Sequence, residues 1–175
     1  LLQTPAARPE MTDPAEIRCA VLDDASAIAD VHVESWRTTY RGILPHDYLA
    51  NLSAETRRSL WEDSIRHPDF GRLRFTVVAE SENRLVGFAD GGPARDVPDY
   101  DAEISAIYLL EGEQRRGIGC RLLAHLARKL VGAGYRSAAV GVLADNPSRG
   151  FYERYGARYI HSRVIDISGT RLEEC

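Results

Sequence analysis

The chain has 175 residues, 44% hydrophobic and 27% charged, the balance of one globular domain with its own core. Twenty-two Lys and Arg against 26 Asp and Glu leave a formal net charge of -4, so nucleic acid is not expected as the main partner. No apolar run approaches a membrane span, and three cysteines without a CxxC pair (Cys19, Cys120 and Cys175) argue against a disulfide framework or a thiolate zinc site.

The five histidines lack metal-ligand spacing, so no metal is placed, and the cysteine usage suits a reducing cytoplasm. Residues 1–14 read as a flexible extension, since the first ten precede Met11 without a signal-peptide apolar core. Residues 15–175 then form a single domain.

In chain order, Glu16 to Leu22 reads as a first strand. Asp23-Asp24 offers a helix N-cap ahead of Ile28, Val31 and Trp36, which recur at helical spacing. That helix gives out near Arg41-Gly42, and Pro45 punctuates a loop before Tyr48 and Leu49. Ser53 to Thr56 caps a second helix carrying Leu60, Trp61 and Ile65, which stops before Pro68. Leu73, Phe75, Val77 and Ala79 alternate as a strand, Ser81-Glu82-Asn83 turns, and Leu85 to Ala89 returns. Asp90 to Asp99 reads as a Gly/Pro/Asp-rich loop. Glu103 to Leu110 is nearly all apolar, the pattern of a strand covered on both faces. Ile118 to Val131 is an amphipathic helix ending around Gly132 to Gly134, and Ser137 to Ala144 a further buried strand. Asn146 to Tyr155 is a short helix, and the tail alternates around Ser168-Gly169 as a hairpin. The order is β-α-α-β-β-β-α-β-α-β-β, a mixed α/β layer on a central sheet with helices on its faces.

The chemistry concentrates in Gln114-Arg115-Arg116-Gly117-Ile118-Gly119, between a buried strand and an amphipathic helix. Without Cβ atoms, Gly117 and Gly119 let the backbone turn tightly and approach a ligand. The unpaired N–H groups of the helix's first turn then face outward, and the dipole favours an anion such as a pyrophosphate. Arg115 and Arg116 add charge-assisted contacts. By itself the hexapeptide is equally a turn that packs a helix on a sheet. It is neither a P-loop nor G-x-G-x-x-G, since Leu122 occupies the third glycine position.

Q-x-x-G-x-G behind a strand of the form E-I-S-A-I-Y-L resembles the cofactor-binding motif of the GCN5-related N-acetyltransferases (GNAT). The likeness continues from Val142 to Gly156, with Asn146 followed by Phe151-Tyr152-Glu153 and a helix-ending Gly. Upstream, Glu34 to Pro45 is similar to the first helix and loop of one branch. The chain departs from the pattern in the shorter Asn146–Tyr152 spacing and in Leu110-Glu111, where many members carry a Pro-containing turn.

The resemblance implies a central mixed, mostly antiparallel sheet of six to seven strands flanked by about four helices. It implies acetyl-CoA as donor and direct transfer, in a ternary complex, to a primary amine of a small molecule or peptide. Gln114, Arg115, Arg116, Gly117, Ile118, Gly119 and Cys120 are then the pyrophosphate segment, with Cys120 in a packing or backbone role. Ile107, Tyr108 and Leu109 bind the pantetheine arm through their backbone, along a strand that splays from its neighbour. Asn146 hydrogen-bonds the pantetheine amide, or caps a helix before Pro147 at its first position.

An alkylammonium with a pKa of about 10.4 must lose a proton before it attacks. Glu103 begins the strand that leads into the loop and is the candidate base, a position the family also uses. Tyr152, a phenol of pKa about 10, suits protonation of the leaving thiolate, with Phe151 as the core residue beside it. Trp36 and Tyr40, four apart on one helix face, line the acceptor pocket, core packing being the rival role for Trp36. A non-catalytic acetyl-CoA sensor is the alternative; it needs the loop but neither Glu103 nor Tyr152. A homodimer is the default assembly.

Overall fold

Alternating apolar residues build a sheet from the edge inward, and the computed structural model, which describes residues 15–67 and 73–175, places each strand. β1 (Glu16–Cys19) pairs antiparallel with β2 (Phe75–Ser81), β2 with β3 (Arg84–Pro93), and β3 with β4 (Ala102–Leu109). β4 then runs parallel to β5 (Ala138–Val140). A two-stranded hairpin joins β6 (Arg163–Ile167) to β7 (Thr170–Glu174). The expected single sheet of six to seven strands is therefore five strands plus two. After Gly141 the chain leaves β4 and turns toward β7. Val142 and Cys175 exchange N–H to O bonds of 2.9 and 2.8 Å, and Ala144 N–H donates to Glu173 O at 2.8 Å. These bonds dock the hairpin beside the five strands.

The side-chain alternation of the strands sorts two cores. Val77, Ala79, Val86 and Ala89 face α4 (Ile118–Gly132), whose Ile118, Leu122, Leu126 and Leu130 form one buried stripe at i, i+4 spacing. Val78 and Phe88 face the other way, against Ile28 and Val31 of α1 (Ala25–Thr39) and Trp61 of α3 (Ala54–Arg66). α2 (His46–Ala50) and α5 (Arg149–Arg154) are short, giving five α-helices among the described residues instead of about four. α2 falls where the sequence reads as loop. Arg37 fixes it, donating to the carbonyls of Leu49, Ala50 and Leu52 at 3.1–3.2 Å.

Local signals hold in several places. Ser53 Oγ accepts from Thr56 N–H at 3.2 Å as the cap of α3. The β2–β3 and β6–β7 turns place Glu82-Asn83 and Ser168-Gly169 at positive φ, the conformation of two-residue hairpins. Others yield to tertiary partners. β1 stops at Cys19, and Asp24 does not cap α1; its carboxylate accepts from Val21 N–H at 2.8 Å and pairs with Arg18 at 2.6 Å. β3 runs on through Asp90 to Pro93, inside the expected loop. Close approach explains its glycines: a Cβ at Gly91 would lie 2.8 Å from Glu103 O. β5 is cut to three residues, and α5 starts at Arg149 rather than Asn146. Pro68 and the 1–14 extension lie outside the described residues. No described helix is long and apolar enough to cross a membrane.

Candidate active site

β4 outruns its parallel partner. The β4–β5 ladder covers only Ala102–Ile104, while β4 continues to Leu109 with that edge open. On its other edge the register jumps from Asp90↔Ala106 to Gly91↔Ile104, so Ser105 is the extra residue of a β-bulge. Leu110 N–H donates to Val86 O at 2.9 Å. Because antiparallel pairs alternate, Tyr108 and Ala106 then bond toward β3, whereas Ile107 and Leu109 turn N–H and C=O to the open edge. Tyr108, expected to contribute its backbone there, is turned away. Its ring stacks on His32 at 5.3 Å and its hydroxyl lies 3.2 Å from that of Tyr40.

The glycine loop follows directly. Gln114 Nε2 donates to Leu109 O at 3.3 Å, tying the loop to the end of β4. Arg115 takes a φ of 61° and Gly117 one of 82°, and the latter is the left-handed N-cap residue of α4. A Cβ on Gly117 would meet nothing within 4 Å, so this glycine is needed for its backbone conformation. At Gly119 a Cβ would sit 3.2 Å from Leu109 Cδ1 and 3.5 Å from Phe151 Cε2, so there the absent side chain is what lets α5 and β4 close around the helix end. Arg121 N–H bonds Gly117 O at 3.2 Å, leaving the N–H groups of Ile118, Gly119 and Cys120 without an acceptor inside the helix. Arg115 and Arg116 are exposed, Arg116 pairing with Glu113 at 2.6 Å. The free thiol of Cys120 is half-buried beside the Tyr155 hydroxyl.

Asn146 is buried and close by. Its Oδ1 accepts from Ser148 N–H at 2.8 Å, an Asx turn ahead of α5 rather than a helix cap, and its side chain also bonds the Tyr40 hydroxyl. Pro147 accordingly lies before the helix. Tyr152 is half-buried; desolvation first, and the neighbouring Tyr40 second, push its phenol well above the ordinary value. Burial raises Tyr40 and Tyr108 in the same direction. The structure thus gathers Tyr40, Tyr108, Asn146 and Tyr152, from four elements or loops, into one cluster of protonated hydroxyls and an amide. Tyr40 belongs to it through its contacts with the Tyr108 hydroxyl and the Asn146 side chain. Trp36 packs edge-on against Tyr40 at 5.0 Å with the Arg57 guanidinium 5.2 Å over its ring.

Glu103 lies on the α1 side of β4, its side chain 14% exposed. Its Oε1 accepts from Arg95 Nε at 2.5 Å and from Ser105 Oγ at 3.1 Å, and its Oε2 from Arg95 N–H at 3.3 Å. A cleft of about 130 Å³ opens here, with Arg95, Glu103, Ser105, Gly141, Arg163 and Glu174 in its walls. Sequence reading missed Arg95, Ser105, Arg74 and Asp90. One signal was present: Asp90 ends an otherwise apolar run, and a carboxylate there needs a partner.

A mostly antiparallel sheet whose one parallel pair opens beside a glycine-built helix N-terminus is the arrangement that the resemblance to coenzyme A-dependent acetyltransferases implied. The chain belongs to the GNAT acetyltransferase family, whose model matches residues 32–157. It is similar to an uncharacterized N-acetyltransferase, YuaI, of Bacillus subtilis, at 41% identity over 90% of this chain and 88% of that one. Two solved structures share its fold. The PaiA N-acetyltransferase of Thermoplasma acidophilum in complex with coenzyme A has a TM-score of 0.67 at 23% identity, covering 91% of this chain and 96% of that one. YncA of Salmonella typhimurium with its cofactor acetyl-CoA has a TM-score of 0.68 at 19% identity, covering 91% and 90%. The protein is an acetyl-CoA-dependent N-acetyltransferase. Its own residues fit that co-substrate: the edge of β4 beyond Ile104 is open, and the first-turn N–H groups of α4 have no acceptor inside the helix.

Proposed function

We propose that this chain acetylates the primary amine of a small molecule or peptide by direct transfer in a ternary complex, with Glu103 as base and Tyr152 as proton donor. When bound, acetyl-CoA supplies an activated thioester. Ile107 and Leu109 present their N–H groups along the open edge, and the first turn of α4 faces the diphosphate. Glu103, at the other end of β4, takes the proton from the acceptor's ammonium and leaves a nucleophilic amine. Tyr152, kept protonated by burial, gives its proton to the departing sulfur. The observation that carries the reading is β4 itself: one strand holds the carboxylate at its start, an unpaired edge in its second half, and the glycine loop at its end.

A sensor that only holds acetyl-CoA would need the edge and the loop; the carboxylate and the half-buried phenol favour catalysis. On this reading residues 15–175 act as one catalytic domain, and the free thiols suit a reducing cytoplasm. Calorimetric titration with acetyl-CoA, against dephospho-CoA and ATP, tests the donor; thiol release across an amine panel tests turnover. Tyr152→Phe is expected to lower turnover by about 100-fold with donor affinity unchanged. Unaltered turnover removes Tyr152 from the donor role, and absence of acetyl-CoA binding by the folded protein removes the whole reading.

A further inference from the structure

Behind Glu103 runs a chain of polar groups that neither packing nor donor binding requires. Asp90 sits in β3 with 1% of its surface exposed. Thr76 Oγ1 donates to its Oδ1 at 2.9 Å, and the Arg74 guanidinium pairs with its Oδ2. The same Arg74 nitrogen donates to Ser105 Oγ at 2.6 Å, and Ser105 Oγ lies 3.1 Å from Glu103 Oε1. Direction along this chain is fixed by its chemistry. A guanidinium only donates, so Ser105 must accept from Arg74; its single hydroxyl proton is then left for the carboxylate of Glu103. Arg74 reaches Ser105 by crossing β3 at Gly92, where a Cβ would lie 2.9 Å from Arg74 Cγ and 3.1 Å from Arg74 Cα. Ser105 is in turn the bulge residue of β4, present in the ladder as one residue too many and exposed toward the cleft.

We propose that Ser105, held by Arg74 and Asp90, is a positioning residue that orients the Glu103 carboxylate for proton removal from the acceptor amine. The proposal rests on Glu103 being the base. No proton moves along the chain: the ammonium N–H bond breaks, the new O–H bond forms at Glu103, and Ser105 only donates a hydrogen bond. The arrangement has a functional logic. Arg95 also holds Glu103, but from a 66%-exposed side chain on the loop after β3, which an incoming ammonium can displace. Ser105 approaches from the sheet, so it stays when Arg95 leaves. Burial pushes the Asp90 carboxyl upward while Arg74 and Thr76 oppose it, which ties Arg74 to this site rather than to solvent. The other charged or titratable groups facing the cleft are Asp96, His161, Arg163, Glu174 and Cys175.

Ser105→Ala removes the donor at an exposed bulge, where folding is not at stake, and Ser105→Thr restores a hydroxyl. With E103Q as the reference, kcat and KM are measured for each variant, and the Glu103 side-chain carboxyl resonance is followed in protein carrying ¹³C-glutamate. E103Q is expected to lose most turnover and to identify that resonance. In S105A turnover falls by about 10-fold and the carboxyl resonance changes position, since a hydrogen-bond donor to the Glu103 carboxylate is lost. The fall in S105A appears in kcat more than in KM, and S105T returns both readouts to the parent. Two results overturn the proposal while leaving Glu103 as base: S105A matching the parent while E103Q is inactive, or S105T failing as badly as S105A. An active E103Q overturns the base assignment and the proposal together.

Discussion

Trp61 donates its indole N–H to His32 Nδ1 at 3.2 Å, so a neutral His32 carries its proton on Nε2. Burial, and secondarily the nearby Arg57, lower its pKa to about 3. An unfolded histidine titrates near 6.5. Between those values the unfolded chain binds a proton that the folded chain refuses, so this contribution to stability is complete above about pH 6.5 and is lost as pH falls toward 3. Urea unfolding should show stability dropping by up to about 1.4 kcal/mol per pH unit from this residue in that window. His32→Gln is expected to flatten the slope; an unchanged slope would assign acid sensitivity to other groups. At this scale little was legible. Trp36 and Tyr40 stood out by type and spacing, yet their partners, Tyr108 and Asn146, come from strands and loops about 70 and 100 residues away along the chain.

At the scale of elements, β4 and α4 carry the proposed site through backbone geometry. Gly117 illustrates the difference between conformation and space. It adopts a φ of 82° with open space where a side chain would go, so Gly117→Ala should cost about 1 kcal/mol of stability in urea unfolding without any clash. Gly117→Glu adds a like charge facing the phosphates and should remove measurable acetyl-CoA binding by calorimetry. Normal binding by the folded Glu variant would mean that the diphosphate does not sit at α4. The glycine loop and the helix behind it could be read from sequence because both signals are local, a pair of glycines followed by an apolar period of 3.6. The bulge at Ser105 could not, since a bulge exists only relative to the register of β3.

Across the whole molecule, the proposed donor site joins three elements: β4 in the sheet, α4 packed on one of its faces, and α5 after the turn at Asn146. A ligand spanning them binds only the folded chain. At 100 times its Kd it adds about 2.7 kcal/mol, which for a domain of this size corresponds to roughly 5–10 °C in Tm. Thermal melts with acetyl-CoA should show that rise, and equal concentrations of ATP should not. No shift at saturating acetyl-CoA would contradict a site built from all three elements.

Apart from the short α2, the order of strands and helices, the polarity of each face and the loop–helix junction at Gly117 were determined by the sequence alone, because each depends on residues within a few positions of one another. Two motifs in the right order, Gln114 to Gly119 and Asn146 to Gly156, also sufficed to place the family. Tertiary structure alone decided where β5 leaves β4, how the C-terminal hairpin docks through Val142 and Cys175, and which way Tyr108 turns. It also decided that Asp90, Arg74, Ser105 and Glu103 meet. Strand register fixes each of these, and register is settled by pairing between segments far apart in the chain, where shifting by one residue exchanges the two faces.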